Sequence, residues 1–149
     1  MPQPTNYSQR IASLQTVMAK LGFHALVLEP GPAMLYLTGV RWGKSERTFA
    51  MVMPAKGAPV WVLPGFEEAR ARELIRVGDD IRVWQEDESP YQRIVEGLRD
   101  RGVPVTSGPG RIAVDPAARF FVFDGIRKLA PKLQFTDATD LLKQSGVAQ

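Results

Sequence analysis

Few side chains in this sequence could do chemistry unaided. It holds a single histidine, His24, and no cysteine, so thiolate nucleophiles, thiolate metal sites and disulfide frameworks are excluded. Nucleophile systems built on histidine, and most transition-metal sites, need one well-placed imidazole and commonly more. His24 stands at the edge of an apolar run with no second imidazole to join it, and a hydrogen-bonded structural role is expected. The densest acidic group is Glu86-Asp87-Glu88. Carboxylates so close could hold a hard cation or divide acid and base roles. Adjacent residues point in different directions, however, and these three directly precede a helix start, whose positive end favours anions. They are expected to serve the cap.

Glycine-rich phosphate loops are not convincing either. Gly31 and Gly39 are too far apart for a dinucleotide fingerprint, and two prolines flank the first. Ser107-Gly108-Pro109-Gly110 lacks a following Lys-Ser or Lys-Thr and leads into a strand, so it is expected to be a turn. The segment Gly39-Val40-Arg41-Trp42-Gly43-Lys44-Ser45-Glu46-Arg47 is more promising. Arginine beside an aromatic ring suits recognition of carboxylates or peptide groups, and the stretch is too polar for a core. A solvated connection with Trp42 packed locally is the competing expectation.

These residues need elements to position them. Tyr7, Ile11, Leu14, Met18 and Leu21 form one helical stripe, with Asn6 and Gln9 placed to cap its start and Gly22 to end it. His24 to Leu28 is expected to be a buried strand, and Ala33 to Leu37 a helical turn closed by Thr38-Gly39. Thr48 to Met53 and Val60 to Leu63 should pair as an antiparallel hairpin across a Pro- and Gly-containing connection. Phe66 to Arg76 then follows as a charged helix with Glu68 and Arg72 four apart, and Ile81 to Trp84 as a strand. Ser89-Pro90-Tyr91-Gln92 opens a helix whose buried face is Tyr91, Ile94, Val95 and Leu98. Arg111 to Val114 (strand), Ala117 to Leu129 (helix) and Leu133 to Thr136 (strand) complete the order. Strands alternating with helices, plus one hairpin, predict an α/β fold with a mixed β-sheet flanked by helices. A domain is expected over residues 1–142, with 143–149 a tail or the start of a linker.

Composition agrees with one soluble core. A chain of 149 residues with 44% hydrophobic content can bury a single unstapled core. Its formal charge of +3 is interleaved between acids and bases, so no nucleic-acid stripe is expected. Its apolar runs are far shorter than the roughly 20 residues that span a bilayer, and Met1 to Asn6 does not resemble a secretory leader. No membrane partner and a cytoplasmic location are therefore expected.

An ordered set of phrases carries a resemblance. Leu28-Glu29-Pro30-Gly31-Pro32-Ala33-Met34-Leu35-Tyr36-Leu37-Thr38-Gly39, Glu46-Arg47, Pro59-Val60-Trp61-Val62-Leu63-Pro64 with Glu67 to Arg72, and Val83-Trp84-Gln85-Glu86-Asp87-Glu88-Ser89-Pro90-Tyr91 together resemble the N-terminal domain of the creatinase/prolidase/aminopeptidase P family. They are most similar to the amino-terminal part of a bacterial Xaa-Pro dipeptidase. The resemblance implies a ribonuclease H-like mixed sheet preceding a separate catalytic domain of the pita-bread type in the same parent chain. That second domain would carry two divalent metals, manganese, cobalt or zinc, on two Asp, one His and two Glu, and none of those motifs matches here. It follows that this chain should contain no catalytic residue, metal ligand or cofactor of its own. The resemblance further implies a homodimer, and a loop that helps restrict substrates to short proline-containing peptides. Trp42 and Arg47 are the substrate-side residues it transfers to this sequence. A freestanding homologue that self-associates or binds a peptide partner, and the N-terminal domain of a creatinase-like non-peptidase, are the alternatives.

Overall fold

In the computed structural model the described residues are 5–147. Met1–Pro4 of the segment judged unlike a leader, and Ala148–Gln149 of the expected tail, lie outside them. The elements, in chain order, are α1 (Tyr7–Leu21), β1 (Ala25–Leu28), α2 (Pro32–Thr38), β2 (Ala50–Pro54), β3 (Val60–Pro64), a 3-10 turn (Gly65–Glu67) and α3 (Glu68–Leu74). There follow β4 (Asp80–Trp84), α4 (Pro90–Asp100), β5 (Arg111–Val114), α5 (Phe120–Leu129), β6 (Gln134–Asp137) and α6 (Thr139–Gln144). The strands form one sheet in the order β4-β3-β2-β1-β5-β6. β1, β2 and β3 pair antiparallel, with Leu26 opposite Met53 and Met51 opposite Trp61. The β1–β5, β3–β4 and β5–β6 pairs are parallel. This is the mixed sheet expected from the alternation and the hairpin.

Each central strand is buried on both faces, as covering a sheet with helices on both sides requires. The pleat divides the side chains by size. Leu26, Leu28, Met51, Met53, Trp61 and Leu63 point to the face covered by α1, α2, α3 and α6. Ala25, Val27, Ala50, Val52, Val60 and Val62 point to the face covered by α4 and α5. Small residues on the second face let its helices approach closely: a Cβ built on Gly97 of α4 would stand 3.1 Å from Val60 Cγ1.

Caps account for the helix ends. Asn6 Oδ1 accepts the Gln9 N–H at 3.0 Å and Ser89 Oγ accepts that of Gln92 at 3.3 Å, each satisfying one free donor of a first turn. α2 stops at Gly39, whose φ of 76° places it in the left-handed region. A side chain there would also strike Tyr7, whose hydroxyl would lie 2.5 Å from the added Cβ. Buried tryptophans keep their donors occupied: Trp61 Nε1 donates to Val77 O and Trp84 Nε1 to Thr48 O, each at 2.9 Å.

Four expectations change. The helix expected over Phe66 to Arg76 is a 3-10 turn plus α3, ending at Leu74 because Ile75 turns extended and buries itself. The helix expected from Ala117 begins at Phe120. Asp115 Oδ1 takes the Ala117 N–H at 3.0 Å, the Ala118 N–H bonds Asp115 O, and Arg119 caps in an extended conformation. Tyr91 and Val95 are only half-buried, whereas Ile94, Gly97 and Leu98 form the buried face of α4. Finally, Lys143 and Gln144 belong to α6, an element absent from the expected order, and Val147 is buried beyond it.

Candidate functional site

The loop between α2 and β2 is anchored at both ends by packing. Trp42 is half-buried and stacks on Phe49, with centroids 4.5 Å apart and planes 25° apart. Phe49 in turn meets Trp61 edge-on at 6.1 Å, so the loop is moored to the core beneath β3. The Arg70 guanidinium lies 4.7 Å from the Trp42 ring, within cation–π range. Trp42 also lines, with Gly31, Pro32, Leu35, Val40 and Arg41, a shallow concavity of about 310 Å³. The local packing expected as the competing role is therefore present, and the ring still borders solvent-accessible space.

Arg47 is half-buried at the far end of the same loop. Its Nε donates to Glu86 Oε1 at 2.7 Å, its guanidinium reaches Glu46 at 3.2 Å, and it lies 5.1 Å from the Phe66 ring. The Glu86 hydrogen bond and charge hold the arginine above its ordinary pKa. Next to it, Thr48 Oγ1 and Tyr91 Oη are 3.3 Å apart. Trp42 thus lies against Arg70 of α3, and Arg47 against Phe66 of the turn after β3. Phe66 is 64% exposed, a large apolar ring presented to solvent beside Arg47.

The acidic triplet does not cap α4 directly. Glu86 is held by Arg47, while Glu88 accepts the Gln85 N–H at 2.8 Å and pairs with Arg93 at 2.6 Å; the cap itself is Ser89. Two of the three carboxylates, Glu86 and Glu88, are thus committed to arginines. His24 has the expected structural role: Nδ1 accepts the Arg111 N–H at 2.9 Å.

Sequence reasoning missed a second cluster, at the carboxyl ends of β1 and β5. Glu29 is 0% exposed and takes three hydrogen-bonding groups from one residue: the Arg119 backbone N–H at 2.8 Å, Nε at 3.2 Å and a terminal nitrogen at 2.7 Å. Asp115 is 3% exposed, and its Oδ2 has no hydrogen-bond partner among the described residues. Burial raises its pKa, opposed by the Ala117 N–H and the Lys44 charge. Lys44 belongs to the candidate loop, and its Nζ would be 3.8 Å from a Cβ added to Gly31. The available signal was an acid immediately following an apolar strand in two places, Leu28-Glu29 and Val114-Asp115. No helix among the described residues is long and apolar enough to cross a membrane.

The family described as "Creatinase/Prolidase N-terminal domain" matches residues 10–145. The probable dipeptidase PepE of Mycobacterium tuberculosis is 37% identical over 103 residues, covering 68% of this chain and 27% of that protein. The crystal structure of dipeptidase PepE from Mycobacterium ulcerans superposes with a TM-score of 0.77 at 29% identity, over 93% of this chain and 36% of that one. The Creatinase/Prolidase N-terminal domain of an X-PRO dipeptidase from Streptococcus pyogenes shares the fold, with a TM-score of 0.72, 20% identity, and coverage of 91% and 97%. The chain spans less than a third of the length of the curated relatives it matches.

Proposed function

The chain belongs to the creatinase/prolidase N-terminal domain family, and on that premise we propose that it is the non-catalytic N-terminal part of a metal-dependent Xaa-Pro dipeptidase or aminopeptidase. In this role it contributes dimer contacts and limits substrate length through the loop carrying Trp42 and Arg47. The observation that carries this reading is the superposition on dipeptidase PepE, which takes in 93% of this chain and only 36% of that one.

A pair of divalent ions, manganese, cobalt or zinc, would supply a polarised carbonyl and a hydroxide nucleophile to the whole enzyme. The residues of this chain do not suit such a pair. His24 Nδ1 is engaged by a backbone N–H, and Glu29, Asp80, Glu86 and Glu88 are engaged by arginines. Among the described residues no group of three or more His, Asp or Glu could hold an ion. The metals would be bound by the separate catalytic domain. This chain's share is geometric: Arg47, held by Glu86 and backed by Phe66, offers a fixed cation to a peptide carboxylate, and Trp42 offers an apolar wall.

A chimera tests this. Residues 7–145 replace the matching segment of M. tuberculosis PepE, and cleavage of Xaa-Pro dipeptides and Xaa-Pro-containing tripeptides is assayed with manganese. The chimera is expected to prefer dipeptides, and Arg47→Ala and Trp42→Ala are expected to narrow that preference by raising KM for dipeptides more than for tripeptides. Turnover of an Xaa-Pro dipeptide by the isolated chain would overturn the non-catalytic assignment. An unchanged dipeptide-to-tripeptide ratio in both variants would overturn the assignment of the loop. Sedimentation of the chimera tests the dimer contacts.

A further inference from the structure

Beneath the start of α5, at the carboxyl ends of β5 and β6, lies a concavity of about 380 Å³ whose lining includes no residue of the Trp42 loop. Phe120, Phe123 and Phe135 wall it, with Asp115 and Asp137 among the remaining lining residues. The rings meet edge to face in succession: Phe120 to Phe123 at 5.9 Å and 62°, Phe123 to Phe135 at 4.9 Å and 86°. Phe120 is 71% exposed, so it covers no core of its own. Asp137 Oδ1 accepts the Thr139 N–H at 2.7 Å together with the Thr139 hydroxyl, and these bonds hold the carboxyl below its ordinary pKa. Asp137 is exposed, and its Oδ2 has no partner among the described residues.

The lining therefore combines three aromatic rings, one ionised exposed carboxylate and one buried acid, with no cationic side chain. We propose that this concavity binds an alkylammonium group, with the Phe120, Phe123 and Phe135 rings around its methyl or methylene shell and Asp137 at its charge. Aromatic faces attract such cations through the ring quadrupole, and the cavity is within the usual size range of small-molecule sites. A hard divalent ion is disfavoured, because phenyl rings give it no ligand and it takes six to eight oxygens. An anion at the α5 N-terminus is disfavoured as well: the Arg119 N–H and guanidinium are already taken by Glu29, and both carboxylates would repel it.

The test is amide NMR on the intact chain, titrated with tetramethylammonium chloride and, separately, with tert-butanol as its uncharged counterpart, at constant ionic strength. Tetramethylammonium is expected to give saturable shifts at Phe120, Phe135 and Asp137, at lower concentration than tert-butanol. Phe120→Ala and Asp137→Asn should each weaken binding about two- to fivefold, the scale of one exposed cation–π or charge contact. Asparagine keeps the Oδ1 acceptor for Thr139, and Phe120 is too exposed for its loss to unfold the chain, so amide dispersion should persist in both. Nα-acetyl-lysine methylamide and n-butylammonium, run in parallel, distinguish a peptide-borne amine from a free one. Shifts that fail to saturate, equal affinity for tert-butanol, or binding unchanged in both variants would overturn the proposal.

Discussion

Gly125 sits in the middle of α5, where alanine would ordinarily strengthen a helix by about 1 kcal/mol. Here an added Cβ would fall 2.5 Å from Tyr91 Cγ and 2.6 Å from Tyr91 Cε2. Cγ is the root of the ring, so spinning the ring in place cannot clear the contact. Either Tyr91 changes its first side-chain torsion or α4 and α5 part, and overpacking of this kind costs about 1–3 kcal/mol. Moving Tyr91 also breaks its 3.3 Å contact with Thr48, a further loss of about 0.5–1.5 kcal/mol. The sum for Gly125→Ala is a net destabilisation of about 0.5–3.5 kcal/mol, against the sign that helix propensity alone would give. Urea unfolding followed by tryptophan fluorescence should show a lower midpoint with an unchanged slope. The milder Gly97→Ala, whose Cβ would be 3.1 Å from Val60 Cγ1, should lose less. A raised midpoint for Gly125→Ala would refute the reasoning, because α4 and α5 would then not be in the tight contact described.

Arg119→Met leaves the buried Glu29 carboxylate with only the backbone N–H at position 119, and the expected loss is about 3 kcal/mol, the lower end for a broken buried pair because Arg119 is itself partly exposed. Thermal unfolding at neutral pH measures it. Glu86→Gln removes a surface partner of Arg47 and should change stability by less than about 1 kcal/mol, a result read from the same unfolding curves. Asp80 is held below its ordinary value of 3.8, first by the Arg82 hydrogen bond and further by Arg101. Its folded-state pKa is depressed, so its contribution is whole above the ordinary value and disappears as pH falls through the lower one. Asp80→Asn should flatten that acid limb of a stability-versus-pH curve.

The sheet was legible because its signals are local. Val60 to Leu63 and Thr48 to Met53 are continuous apolar runs on either side of a breaker, and Ser89-Pro90 with Gln92 marks a helix start whatever its surroundings. α6 was hard to read because it is short: Ala138, Leu141 and Leu142 stand at i, i+3 and i+4, too few to mark a helix alone, and their burial together with the Asp137–Thr139 hydrogen bonds orders the segment. The start of α5 was misplaced by three residues because one competing acceptor, Glu29, lies 90 positions away, while the nearer one, Asp115, holds Ala117 in a turn ahead of the helix. In the candidate loop, residue types marked the segment from Gly39 to Arg47 and the family resemblance singled out Trp42 and Arg47, but nothing local could say that Arg70 and Phe66 would lie against them. Pairing between Glu86 and Arg47 spans 39 positions and is invisible to any spacing argument.

The size division across the sheet has one more consequence. Met18, Met34, Met51 and Met53 are all fully buried, and all lie on the α1 and α2 side. Unbranched thioethers adapt their shape at little cost, so this side is pliable, whereas the alanine-, valine- and glycine-lined side is rigid. The loop bearing Trp42 hangs from α2 and is rooted through Phe49 in that pliable layer. Substitutions in the loop can therefore be taken up by the thioethers beneath it, leaving the opposite layer as the fixed reference for the fold.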